Sequence, residues 1–305
     1  EMTRMMAHIP KLYNWVVGNP LTSKMVKGVL GFAQQRALPA IAPESLRRWF
    51  KKPRKRVREA HNGELYFFFD EFTNYNDVEI GKKAILLLEG LGYTVLMVDH
   101  AFSGRALFSK GLLRDARKLA NSNVSLFADL LSSDRPLLAV EPSTILTFRD
   151  EYVDIVDVEL LEKATVVAQY ALTIEEFLVQ ELNKGKFSSD SFSAIPKDIM
   201  LHTHCQQKAW GLEGTVIKAL SIPAGFHVEA IASGCCGMTG SFGYEKEHYA
   251  LSQQIGELVL FPKIRNKKSA STCVAAPGAS CRTQIFDGLG EEAQHPVELL
   301  YAALA

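Results

Sequence analysis

The feature that most constrains this chain is that it carries one α/β unit twice. After residue 60, short apolar runs alternate with helical stretches. Leu65-Tyr66-Phe67-Phe68-Phe69 reads as a buried strand, Asn76 to Leu91 as a helix and Tyr93 to Val98 as a strand. Lys110 to Ser122 reads as a helix and Leu137 to Val140 as a strand, with a helix following near Ile145. Such alternation makes βαβ units and a mostly parallel sheet. The pattern then recurs. Ile199 to His204 matches the run at 65–69, Gly225 to Ala230 matches Gly92 to Met97, and Gly237 falls on Gly104 at the same spacing. Val274-Ala275-Ala276-Pro277 matches Leu138-Ala139-Val140 and its exit. The fold class expected is therefore α/β, with two tandem pseudo-repeats. Each is a small, mostly parallel sheet flanked by helices, and an N-terminal helical segment precedes them. The divisions expected are 1–60, 61–185 and 186–305. Gly185, Ser188, Ser189, Ser191 and Pro196 give the last boundary a linker composition.

Asn19-Pro20, Leu38-Pro39 and Ala42-Pro43 punctuate the N-terminal segment, and Trp15, Phe32 and Trp49 are its apolar anchors, as in a segment that wraps something. The basic run Lys51-Lys52-Pro53-Arg54-Lys55-Arg56-Val57-Arg58 reads as a solvated linker. Glu1 already stands in a helical pattern, which is expected of a chain cut from something longer. Lys plus Arg equals Asp plus Glu, 34 each, so charge gives no support to a nucleic-acid or anionic-membrane role. No apolar run of about 18 residues is present, so no spanning helix is expected.

All five cysteines follow residue 200. A secreted disulfide scaffold would be shorter and would spread them, so the clustering points to a reducing, cytoplasmic setting and a metal or redox site. Peripheral attachment at the inner face of a membrane is compatible with it. Cys205 follows the strand ending at His204, Cys235 and Cys236 follow the strand ending near Ala232, and Cys281 follows the strand ending near Ala276. Ligands gather beyond the carboxyl ends of parallel strands, so these cysteines are expected to converge as metal ligands. Adjacent thiolates rarely both serve one tetrahedral zinc, whereas they can reach different irons of one cluster. Gly234 and Gly237 would let the backbone approach closely, with amides free to hydrogen-bond cluster sulfurs. The competing reading is a buried or vicinally oxidised cysteine pair. Cys273, inside a strand pattern, reads as a core thiol. His204 reads as an outer donor supporting the ligands, and His202 as structural.

Cys205, Gly234-Cys235-Cys236-Gly237 and Cys281 resemble the cysteine-rich "CCG" domain. That domain occurs in heterodisulfide reductases and in iron–sulfur subunits of glycolate, lactate and glycerol-3-phosphate dehydrogenases. The likeness is greatest to the C-terminal part of FAD-linked oxidase/iron–sulfur fusion proteins. It runs through Phe72 to Asn76, His204 to Ala209, Gly234 to Tyr244, Ser280 to Gln284 and His295 to Leu299. The family pattern is one cysteine, then Cys-Cys-Gly, then Cys-x-x-Cys, in each repeat. Here Gly278 stands at the first position of the last pair, leaving four ligands. In the first repeat, Phe72, Phe102-Ser103-Gly104 and Glu141-Pro142-Ser143-Thr144 occupy the corresponding places, so no cluster is expected there. That half would cover the thiol site or dock neighbours, and Arg105 and Lys110 read as surface charge. The resemblance implies an iron–sulfur cluster of the 4Fe–4S type in an electron-transfer module. It also implies an FAD-binding dehydrogenase domain and a ferredoxin-type cluster domain as partners, and a quinone or another electron acceptor. Alternatives are a zinc-binding or metal-free docking module and a thiol–disulfide reductase using Cys235 and Cys236.

Overall fold

The computed structural model describes residues 2–56 and 58–305; Glu1 and Val57 of the basic run lie outside the described residues. Among the described residues, eight strands form two four-stranded sheets, both wholly parallel. The first holds β1 (Gly63–Phe67), β2 (Tyr93–Leu96), β3 (Leu137–Ala139) and β4 (Ala171–Thr173) in the order β2-β1-β3-β4. The second holds β5 (Lys197–Leu201), β6 (Phe226–Ala230), β7 (Cys273–Ala275) and β8 (Ala293–Gln294) in the order β6-β5-β7-β8. The two topologies are identical, and the repeat read from the sequence is a repeat in space. The fourth strand of each sheet, three and two residues long, carries too little pattern to be read in advance.

The helices after the first and fourth strands lie between the sheets. Helix Pro296–Ala303 of the second half packs on Val78–Gly90 of the first, and Ile174–Asn183 of the first packs on Glu213–Leu220 of the second. Each contact repeats the other with the halves exchanged, the signature of a pseudo-twofold axis. One apolar core spans them, joining Leu65, Phe67 and Leu88 to Leu201, Leu220 and Leu300. Each sheet also has a core of its own on its outer face. The inner helices that follow β4 and β8 start alike. Thr173 and His295 are their N-caps, each closed by a capping box with Glu176 and Glu298. Both ends of the box satisfy backbone N–H groups that would otherwise be buried without partners.

The N-terminal segment touches both halves: Ala42 N donates to the Tyr75 carbonyl of the first and the Ala40 carbonyl accepts from Asn76 Nδ2, and Ala33 N donates to the Tyr244 carbonyl of the second, while Trp15 is exposed. Arg36 is fully buried. It donates to the Gly243 carbonyl at 2.7 Å and to Ser252 Oγ at 2.8 Å, and pairs with Asp287 at 3.0 Å. Neighbouring backbone bonds, Ala33 N to Tyr244 O and Lys246 N to Gly31 O, hold the same loop. The basic run is less solvated than expected. Arg54 makes a two-pronged bond to the buried Glu89, 2.6 Å on each side, and lies over the rings of Trp49 and Phe50. Lys51, Lys52 and Lys55 are exposed.

Candidate metal centre

The sheet order sends the chain to one side of β5 through β6 and to the other through β7, so a crevice opens at the carboxyl ends of β5 and β7. Cys205 is the first residue of helix Cys205–Ala209, capped by His204, whose Nδ1 accepts from the Gln206 amide at 3.3 Å. Cys281 lies in the first turn of helix Ala279–Leu289, where the helix dipole favours a thiolate. Cys235 and Cys236 stand in the loop after β6. Gly237 has φ 97°, and a Cβ there would lie 2.4 Å from the Ser252 carbonyl, so only glycine allows this turn. The turn aims the Gly237 amide at Cys235 Sγ, 3.4 Å away. Lys208 reaches the Ser233 carbonyl just before the pair.

Topology thus brings together four sulfurs from three strand ends. Cys236 and Cys281 are buried, Cys235 is half-buried and Cys205 is exposed at the mouth. Their ionisations are linked. The neighbouring Cys205 and Cys236 thiols hold Cys235 well below its usual range, and Cys236 does the same for Cys281. In turn Cys235 pushes Cys205 and Cys236 up.

Both histidines stand beside the thiols. His204 is turned to its helix cap, and its ring fills the space beside Gly278, where a Cβ would meet His204 Cδ2 at 2.4 Å and Cys281 Sγ at 3.3 Å. Gly278 is therefore a close-approach glycine. His202, expected to be structural, faces the thiols. One of its ring nitrogens and the sulfurs of Cys236 and Cys281 all lie within 4.8 Å of one another. Its Nε2 is buried without a hydrogen-bond partner. A Cβ at Gly234 would meet no protein atom within 4 Å, and its φ is not left-handed. Cys273 sits at the start of β7, remote from the carboxyl-end crevice, with its thiol on Gln294 Oε1 at 3.1 Å. Arg105 pairs with Glu151, and Lys110 pairs with Glu245 of the other half.

The first repeat also differs from the sequence alignment by one residue. Asp70 and His204 are equivalent helix caps, so Glu71, not Phe72, stands where Cys205 stands. Gly63 pairs with Tyr93 whereas Lys197 pairs with Phe226, so the first crossover is one residue longer and a single fixed spacing slips. Glu141, at the place of Gly278, reaches across the axis. Gly278 has no side chain with which to cap helix Ala279–Leu289, and Glu141 Oε2 accepts from the Ala279 amide at 2.9 Å instead.

Soft sulfur donors with an imidazole suit zinc or an iron–sulfur cluster, not a hard cation. The unpartnered Nε2 and the amide aimed at Cys235 fit a site built to hold such a group. Among the described residues, no helix is long and apolar enough to cross a membrane. No family model matches the chain. It is similar to one of the subunits of the anaerobic glycerol-3-phosphate dehydrogenase of Escherichia coli (strain K12), at 26% identity over 309 residues, covering 99% of this chain and 76% of that protein. It is also similar to D-2-hydroxyglutarate dehydrogenase of the same organism, at 26% identity over 308 residues, covering 97% of this chain and 29% of that protein. The enzyme of the same name from Haemophilus influenzae is 26% identical over 317 residues, 30% of its length. Nearly the whole of this chain is thus similar to a portion of two kinds of dehydrogenase.

Proposed function

We propose that this chain is the iron–sulfur electron-transfer module of a flavin-linked oxidoreductase of the 2-hydroxy-acid dehydrogenase type. The observation that carries the reading is the convergence of Cys205, Cys235, Cys236 and Cys281 at the carboxyl ends of one parallel sheet. A bound cluster, of the 4Fe–4S type, supplies one-electron transfer at a potential set by its surroundings. The chain's residues provide those surroundings. Cys236 and Cys281 hold the inner side away from water, while Cys205 and Cys235 form the face that a redox partner approaches. The Gly237 amide and the helix end at Cys281 stabilise negative charge on sulfur.

The similar dehydrogenases support the link to a flavin enzyme, and the chain spans only 29% of one of them. In this reading an FAD-binding domain and a ferredoxin-type cluster domain, fused or separate, feed the thiol site, which passes electrons to a quinone or another acceptor. The N-terminal helices offer them a face. Helices Pro10–Gly18 and Pro20–Leu30 leave Leu12, Trp15, Leu21, Met25 and Val29 exposed. Patches of this kind mark interaction sites. The working location is the cytoplasm, free or at the inner face of the membrane.

The test is the iron, zinc and acid-labile sulfide content of anaerobically purified chain, with its visible spectrum. Iron and sulfide in matching amounts of about two to four per chain, with broad absorption near about 400 nm, are expected for a thiolate-bound cluster. Zinc at about one per chain without sulfide would overturn the electron-transfer role and leave a structural metal site.

A further inference from the structure

We propose that His202 is a metal ligand, binding through Nε2 beside Cys236 and Cys281 in place of one of the two outer thiolates, Cys205 or Cys235, so that the centre has mixed sulfur and nitrogen ligation. The inference rests on the reading of this crevice as a metal site, and it concerns a residue that the cysteine pattern does not include.

Three observations carry it. The first is the orientation of the ring. His202 Nδ1 lies 2.8 Å from Ser233 Oγ, so that nitrogen is engaged by the hydroxyl and Nε2 is the one turned away from it. An outer partner on one imidazole nitrogen is the usual means of fixing the other for a metal.

The second is the setting of Nε2. His202 is fully buried, and Nε2 has no hydrogen-bond partner. The groups that share its space are the sulfurs of Cys236 and Cys281, with all three donor atoms within 4.8 Å of one another. Two soft sulfur donors and one imidazole nitrogen thus share one buried space, a donor set that suits zinc or iron.

The third is the other half of the molecule. His202 is the first residue after β5, and the first residue after β1 is Phe68, which stacks on His100 at a centroid distance of 3.8 Å. At this position an imidazole stands only in the half that carries thiols. Where the thiols are gone, the same position is an aromatic core residue.

The experiment uses the whole chain, purified anaerobically with 15N-labelled histidine, beside His202→Ala and Ser233→Ala. If iron is bound, pulsed EPR of the paramagnetic state is expected to show one strongly coupled histidine nitrogen that disappears in His202→Ala. Iron and sulfide at full content without that coupling would overturn the inference and leave the electron-transfer reading standing. If zinc is bound instead, that reading fails while the ligand is still tested. X-ray absorption should then show nitrogen at about 2.0–2.1 Å beside sulfur at about 2.3 Å, and an all-sulfur shell would refute His202. A chain that takes up neither metal sinks both. Ser233→Ala keeps the ring and serves if His202→Ala fails to fold. It should weaken metal binding by about 10–100-fold, as loss of an outer partner does, and unchanged affinity would count against the Nε2 assignment.

Discussion

Beyond the strand ends of the first sheet stand Glu71, Ser103 and Thr144; beyond those of the second stand Cys205, Cys236 and Cys281. The backbone frame is shared, down to the helix caps at Asp70 and His204. The contents are not. In the first half the Ser103 amide and hydroxyl both donate to Glu71, at 2.8 and 3.0 Å. Tyr152 donates to the Ser103 carbonyl at 2.8 Å, and Asn123 donates to the Tyr152 hydroxyl at 2.9 Å. Oxygen and nitrogen groups close this site on themselves, leaving Thr144 Oγ1 without a partner. In the second half the groups are sulfurs, which make weak hydrogen bonds, and an imidazole Nε2 without an oxygen or nitrogen partner. The first set is a hard plug largely closed by its own hydrogen bonds, whereas the second is soft and suits a metal. The plug still serves its neighbour, because Glu141 of the first half caps the helix that bears Cys281.

The largest effect should come from treating matched positions alike. Cys281→Ser is expected to weaken metal binding by more than the roughly 100-fold typical of outer-shell changes, with loss of any visible absorption. Thr144→Val, at the equivalent place, should keep the metal and gain about 1 kcal/mol, because it removes a buried hydroxyl that lacks a partner. Metal analysis and denaturant midpoints measure both. If Thr144→Val also lost the metal, the halves would not be separable in this way.

A second contrast concerns the inner helices. Glu175 in the first half corresponds to the buried Val297 in the second, one residue inside each helix start. Its Oε2 accepts from Gln207 at 3.4 Å, and its Oε1 has no partner. Burial pushes its carboxyl up to about 7 from an ordinary 4.5. The folded chain then holds this proton more tightly than the unfolded one. The group's contribution to stability therefore falls as pH rises from about 4.5 to about 7, and the full penalty is present above that window. Glu175→Gln should gain about 3 kcal/mol at about pH 8, shrinking toward zero below about pH 4.5. Urea unfolding at the two pH values reads it; a gain independent of pH would mean that packing, not charge, is responsible. An effect smaller than that of Glu175→Gln is expected from Ser103→Ala, which removes one hydroxyl from the plug. It should lose about 1–2 kcal/mol without changing the metal content, and a lost metal would show that the first site supports the second directly.

Three strands of each sheet, their parallel crossovers and the duplication follow from local apolar periodicity and its recurrence, and these are visible in the chain as written; the order of the strands is not. So is the convergence of cysteines, since a residue just past a parallel strand must lie at that edge of the sheet. Strands of two or three residues, such as β4 and β8, form because neighbours pair with them, and no local pattern announces them. Arg36 was equally silent, because a buried arginine is recognised by partners such as Asp287 and Ser252, far along the chain.

The sequence by itself therefore determined the fold class, the duplication and which half keeps its thiols. All three are properties of residue type and spacing along one strand–helix unit. Tertiary structure decided how the two histidines meet those thiols. His202 and His204 are two residues apart and chemically identical. The helix cap engages Nδ1 of His204, and the Ser233 hydroxyl engages Nδ1 of His202. It also decided that Glu71 replaces Cys205, because a one-residue change in a crossover is absorbed by packing and leaves no mark in composition.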